Sequence, residues 1–322
     1  MWSVIGHEWA VALLARSIQT HKVSHAYLFA GPPHVGKTTL ARAFAQALLC
    51  DSSPAHCAAC RSCQLAMADR HPDIHLVAPQ DNWIRIEAIR DLQHAAALAP
   101  VEGRYRVFIL SQMELATPSA ANCLLKTLEE PAERVILILT ADRAASLLPT
   151  IVSRCQVLTL RPLAMGQIAS ALQARGADDG QVALLARLAR GRVGWAIAAA
   201  RDSHILERRT QAIAKLIELS QATYTARFAY AEQLSRKPDH ASEVLHTFGS
   251  WWHDVLLLAS RSTVPIVNVD HQATLEEWAV RYDAATAARA LRDLSKTAWF
   301  LEHNVNSRLA LEVLMLDMPG RP

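Results

Sequence analysis

At 322 residues, with 51% hydrophobic side chains, 11 glycines and 6% aromatics, the chain predicts two or three helix-rich globular domains and excludes a disordered or all-β protein. A formal net charge of +3 excludes an extended nucleic-acid-coating surface and leaves room for a local basic patch only. Six cysteines, four of them between Cys50 and Cys63, indicate a metal site before disulfides in a reducing cytosol.

The opening stretch, MWSVIGHEWAVALLARSIQ, has the amphipathic rhythm of a helix, with early charges in place of the apolar block and small-residue cleavage site of a secretory signal. No charge-free run is long enough to span a bilayer, so the expectation is a soluble cytoplasmic protein with no membrane contact. From here to about residue 163, short apolar runs alternate with helical stretches. The runs Ala26–Ala30, Ile74–Val77, Val107–Leu110, Val135–Leu139 and Val157–Leu160 predict an α/β domain, a parallel sheet with helices on both faces.

The first run leads into Gly31-Pro32-Pro33-His34-Val35-Gly36-Lys37-Thr38, a complete G-x-x-x-x-G-K-[ST] phosphate-binding loop, with Thr39 directly after it. Leu40, Ala43, Phe44, Ala47 and Leu48 then recur at helical spacing, so a helix leads out with its free amides facing the loop. Such amides wrap phosphate oxygens, while Lys37 would meet the β- and γ-phosphates and Thr38 would hold Mg²⁺. ATP with Mg²⁺ is the candidate ligand; the plainer alternative is a glycine-rich turn kept as scaffold. His34 is a bulky residue for so tight a turn.

Directly after that helix, Cys50, Cys57, Cys60 and Cys63 place four thiols within fourteen residues, a spacing that closes tetrahedrally around Zn²⁺. A four-thiolate shell leaves no open coordination position, so the metal would be structural and would pin an insertion too small for its own core. His56 and His71 stand near enough to replace one thiol, although four sulfurs suffice. Cys123 and Cys155, far away in sequence, are expected as small buried hydrophobes.

A hydrolysing P-loop enzyme needs a second strand ending in carboxylates, one to steady Mg²⁺ and one to polarise the attacking water. Here the strand Arg106-Val107-Phe108-Ile109-Leu110 runs into Ser111-Gln112, a hydroxyl and an amide. Neither is a general base and neither carries negative charge, so hydrolysis should be strongly impaired. Glu114, two residues on, is expected as a solvated carboxylate at a helix start.

After Leu163 the alternation gives way to Ala/Leu/Arg-rich helical segments. The expected division is a P-loop domain over 1–163 with the cysteine module at about 50–63, a small three-helix lid over 164–203, and an all-helical domain over 204–322.

His25-Ala26-Tyr27-Leu28-Phe29, the phosphate loop, the cysteine cluster, His71-Pro72-Asp73, the block Ala121 to Pro131 (ANCLLKTLEEP) and Leu148 to Cys155 (LPTIVSRC) occur in an order that resembles the AAA+ subunits of the bacterial DNA polymerase III clamp loader. The resemblance spans about residues 5 to 163, and its long LLKTLEEP and SRC blocks are not generic to P-loop proteins. That family holds ATP-hydrolysing motor subunits, gamma/tau, and a delta-prime class with a degenerate ATPase site. The missing acidic pair resembles the delta-prime class, and so does Gly194, which stands where motor subunits carry the sensor 2 arginine.

The resemblance implies a P-loop domain, a helical lid and a C-terminal helical collar in a ring with motor subunits and a delta subunit, loading the sliding clamp onto primer-template DNA. It assigns Arg154 of the SRC block the part of an arginine finger, reaching across a subunit boundary to ATP held by a neighbouring motor subunit. Thr140 falls at the sensor 1 position, with a strand-end hydroxyl as the simpler reading. Trp251, Trp252 and the stretch from Trp299 to Val305 could join the collar, although packing within the bundle explains them more plainly. Two other readings stay open: a motor-type ATPase with a substitute carboxylate, and a zinc-bearing P-loop regulator that uses nucleotide as a structural ligand outside any clamp loader.

Overall fold

The computed structural model describes residues 2, 4–51, 57–302 and 305–320. They fall into two compact units, one made of residues 1–174 with 191–195, the other of residues 175–190 with 196–322.

The first unit alternates helix and strand: α1 (Glu8–Gln19), β1 (Ala26–Ala30), α2 (Lys37–Leu49), α3 (Arg61–Met67), β2 (Ile74–Val77), α4 (Ile86–Ala96), β3 (Arg106–Leu110), α5 (Pro118–Glu129), β4 (Val135–Ala141), α6 (Pro149–Val152), β5 (Gln156–Thr159) and α7 (Met165–Gln173). Every strand pairing is parallel, in the order β2-β3-β4-β1-β5. Parallel strands covered on both faces read as unbroken apolar runs, and β1, β3 and β4 are buried along their whole length.

Alternation along each strand divides the core into two layers. From β1, Tyr27 and Phe29 join Leu14, Leu40 and Phe44 on the α1 and α2 side, whereas Ala26 and Leu28 join Leu92, Leu124 and Leu128 on the α4 and α5 side. Tyr27 meets Phe44 edge-on with ring centroids 4.9 Å apart. Parallel pairing also brings all strand exits to one edge. Ala30 lies opposite Ala141, and Leu110 opposite Leu139, so the chain leaves β1, β3 and β4 side by side.

The second unit is helical: α8 (Asp179–Leu188), α9 (Val193–Arg201), which crosses the boundary, then α10 (Ser203–Leu219), α11 (Tyr224–Ser235), α12 (Pro238–Ala259), α13 (Gln272–Arg281), α14 (Ala284–Glu302) and α15 (Ser307–Asp317). Its core gathers Ile213, Leu216, Phe248, Trp278, Leu311 and Met315 around the fully buried Trp251 and Trp252. Trp299 departs from the expectation that the tryptophans of these helices are core, since it is half exposed on α14. Arg227 is buried where α10 and α15 end, donating to the carbonyls of Leu219, Met315 and Met318 at 2.9, 3.1 and 2.8 Å. Helix C-termini present unpaired carbonyls, and a guanidinium satisfies several of them at once.

Candidate functional site

The phosphate loop leaves β1 at Ala30 and crosses so close to β5 that a Cβ on Gly31 would stand 2.4 Å from the Leu160 carbonyl oxygen. Only glycine allows that approach. His34 takes φ 61, the left-handed conformation that glycine adopts freely and a β-carbon disfavours, which is the physical cost of an imidazole in this turn. Two outside contacts hold the loop in place. His7 Nε2 donates to the Val35 carbonyl at 3.1 Å, and the Gly194 amide donates to the His34 carbonyl at 2.8 Å.

Gly194 therefore has a physical role beyond lacking a side chain. A Cβ there would lie 2.9 Å from the His34 carbonyl oxygen, so an arginine at this position could not be seated without displacing the loop. Desolvation first, then the charges of Arg192 and Lys37, lower the His34 pKa, so the imidazole is neutral at pH 7 and adds no cation to the loop.

Thr38 and Thr39 are exposed in the first turn of α2, where free helix amides gather, and Lys37 is buried. The Lys37 ammonium donates to Asp142 Oδ1 at 2.7 Å, to the Pro32 carbonyl at 3.1 Å and to the Gly31 carbonyl. A lysine has three donors, and all three are taken.

At the exit of β3, Ser111 turns toward β2 and donates its hydroxyl to the Val77 carbonyl at 3.2 Å. Gln112 adopts φ 56, and its backbone N–H donates to the Thr140 hydroxyl at 3.1 Å. Thr140 is buried and thus ties the exits of β3 and β4 together.

Glu114 corrects the sequence expectation. It is half buried in a single 3₁₀ turn, Met113–Leu115, anchored by the buried Met113, and its Oε2 is enclosed without a hydrogen-bond partner. Burial raises its pKa, the Asp142 charge adds to the rise and Lys37 opposes it, so this carboxylate belongs to the electrostatics of the loop and is not a solvated helix start.

Arg154 follows α6 and is about one third exposed. Its Nη2 pairs with Glu129 Oε1 at 2.7 Å, and its Nη1 donates to the Thr150 carbonyl at 2.9 Å. Glu129 closes α5, so the ion pair brings the LLKTLEEP and SRC blocks together in space.

The sulfurs of Cys50, Cys57, Cys60 and Cys63 all lie within 4.8 Å of one another, with Cys50 to Cys57 at 3.7 Å and Cys50 to Cys60 at 4.0 Å. Four sulfurs about 2.3 Å from a central ion stand roughly 3.8 Å apart, so the set fits a tetrahedral metal. Backbone amides of Cys57, Cys60 and Cys63 point at the sulfurs of Cys50, Cys57 and Cys60 at 3.3, 3.2 and 3.4 Å, which favours thiolates. Burial first, then hydrogen bonds with Cys60 and Cys50, push the Cys63 thiol up to about 12, so ionising the set calls for a divalent cation.

His71 is outside this group, and its Nδ1 instead accepts from the Asp73 amide. His56 lies outside the described residues. Cys123 and Cys155 pack against the hydrophobic residues of the α4 and α5 layer but are only partly buried, short of the full burial expected, and desolvation pushes Cys155 up to about 12.

Two family models match: one described as DNA polymerase III, delta subunit, over residues 6–164, and one described as DNA polymerase III, delta subunit, C terminal, over residues 203–319. DNA polymerase III subunit delta-prime of Bacillus subtilis is 29% identical over 308 residues, which cover 94% of this chain and 93% of that one. The chain belongs to the delta-prime family of DNA polymerase III subunits.

The delta-prime subunit of Pseudomonas aeruginosa is 37% identical over 153 residues, covering 46% of this chain and 47% of that one. The tau subunit of Escherichia coli is 33% identical over 172 residues, 53% of this chain and 27% of that longer protein. Among solved structures, a gamma-subunit-related protein of DNA polymerase III from Thermotoga maritima aligns over 96% of this chain and 98% of its own, with a TM-score of 0.49 and 18% identity. Among the described residues, no helix is long and apolar enough to cross a membrane.

The loop, the thiols, Thr140 and Arg154 stand out in the sequence as site residues, whereas Asp142 and Glu129 join the site only through the fold. Asp142 follows the exit of β4, the neighbour of β1, and a search for carboxylates just beyond that strand would have found it.

Proposed function

We propose that the chain is the delta-prime type member of the DNA polymerase III clamp loader, assembling with gamma/tau motor subunits and a delta subunit in the cytoplasm to place the sliding clamp on primer-template DNA. In this reading residues 1–163, 164–203 and 204–322 act as P-loop domain, lid and collar. The loop from Gly31 to Thr39 binds ATP with Mg²⁺ but cleaves it poorly, with Thr140 at the sensor 1 position. Zn²⁺ held by Cys50, Cys57, Cys60 and Cys63 is structural.

Arg154 is the group lent to the assembly. Its guanidinium, now paired with Glu129, would turn to the triphosphate of a neighbouring motor subunit and meet charge developing in the transition state. The observation that carries the reading is the β3 exit, where Ser111 and Gln112 supply neither a metal-steadying carboxylate nor a base beside a complete phosphate loop. The test is reconstitution with the motor and delta subunits, followed by clamp-stimulated ATP hydrolysis. Arg154→Ala should assemble normally and hydrolyse more slowly; an unchanged rate removes the finger.

One observation favours a second reading. Asp142 pairs with Lys37 and Glu114 shares their electrostatic surroundings, so a motor-type ATPase with a substitute carboxylate has candidates on hand. Turnover by the purified chain at motor-like rates, lost in Lys37→Ala, would support it.

A further inference from the structure

The residue that a phosphate loop reserves for the β- and γ-phosphates is already occupied here. Two of the three Lys37 bonds go to carbonyls at the start of its own loop, and the third is an ion pair with Asp142. The pair is lopsided, with the lysine side chain 9% exposed and the aspartate 41%. Breaking it therefore leaves a buried cation in need of a new anion, while the carboxylate can turn into water at little desolvation cost.

We propose that Asp142 is an internal competitor for Lys37, so that a nucleoside di- or triphosphate enters the loop by displacing this carboxylate from the ammonium. The inference rests on the reading that the loop binds nucleotide. It adds that the chain's affinity is set as much by Asp142 as by the loop itself.

Three features support the competition. A phosphate in the loop would receive the α2 amides as well as Lys37, whereas Asp142 takes Lys37 without them, so an incoming phosphate has the means to win. Glu114 shares the electrostatic surroundings of Asp142 and Lys37, so a triphosphate arriving while Asp142 stays in place would find its cation already paired in an acidic setting. The loop itself is held by His7 and Gly194 and need not refold, which leaves the ion pair as the element that moves.

The purified full-length chain, its four-cysteine site loaded with zinc, is titrated with N-methylanthraniloyl-ATP and Mg²⁺, and Kd is read from fluorescence. Asp142→Asn should bind roughly fivefold more tightly than the wild type, the scale of a partly exposed ion pair. In a Lys37→Ala background the same substitution should change Kd less than twofold, because the competitor has lost its target. Asp142→Ser serves as a second variant should the asparagine chain fail to fold by thermal melting.

An equal gain in both backgrounds would mean general charge repulsion and would overturn the proposal. So would a Kd unchanged or weakened by Asp142→Asn, while measurable wild-type binding would leave the nucleotide reading standing. Absence of binding by the wild type and by the Asp142 variants would remove both.

Discussion

The cysteine cluster and the phosphate loop are both complete as sequence motifs, yet the fold treats them differently. Around the four sulfurs the groups that point inward are backbone amides, which favour thiolates and supply no competing cation, so the cluster is preset for a metal. Around Lys37 the fold has placed a carboxylate and two carbonyls, so the loop is satisfied before any ligand arrives. A complete motif says which ligand chemistry is possible; whether the site waits for that ligand depends on what the rest of the fold brings to it.

Two aspartates sharpen the same contrast. Asp73 is fully buried and accepts from the amides of Val101, Glu102 and Gly103 at 2.7, 2.9 and 2.7 Å, joining the segment before β2 to the turn before β3. Asp142 is partly open to water, and its carboxylate pairs with Lys37 at 2.7 Å. The first is part of the scaffold, and the second can be exchanged.

Metal removal should produce the largest effect. Chelation, or Cys63→Ser, is expected to release one zinc per chain by atomic absorption and to lower the thermal midpoint of the first unit, because four gathered thiols, Cys50 and Cys63 among them buried, lose several kcal/mol of binding-linked stability without their cation. A chain that holds no zinc, or melts unchanged after losing it, would make the cluster accidental and erase the contrast.

Asp73→Asn ranks next, with an expected loss of about 2 kcal/mol in denaturant unfolding. Burial alone would raise this carboxyl, but the three amides outweigh it and hold its pKa below the usual carboxylate value. A depressed acid contributes stability that is present above its unfolded pKa and disappears as pH falls through the folded one. The gap between wild type and Asp73→Asn should therefore be full at pH 6 and shrink below about pH 4; a gap independent of pH would remove the charged-anchor account.

Much of this was legible in the sequence because it depends on neighbours along the chain. The apolar runs named the strands to within one or two residues. The spacing of Cys50, Cys57, Cys60 and Cys63 named a metal site, and Ser111-Gln112 showed where acids are lacking. What stayed hidden depends on which strand exits become neighbours. The order β2-β3-β4-β1-β5 puts Asp142 next to the loop that leaves β1 and puts Glu114 near both, although more than seventy residues separate Glu114 from Lys37 in the chain. The pairing of Glu129 with Arg154 depends likewise on α5 and α6 meeting, and the crowding of Gly194 against His34 on a segment far downstream folding back.

The proposal that this chain binds a triphosphate and cleaves it poorly is tested most directly by following phosphate release from labelled ATP and Mg²⁺ incubated with the purified protein. The account predicts bound ATP recovered intact, with phosphate release by the wild type no faster than by Glu114→Gln. Multiple turnovers by the wild type that Glu114→Gln abolishes would contradict it, because the carboxylate absent from the end of β3 would then have been supplied by Glu114.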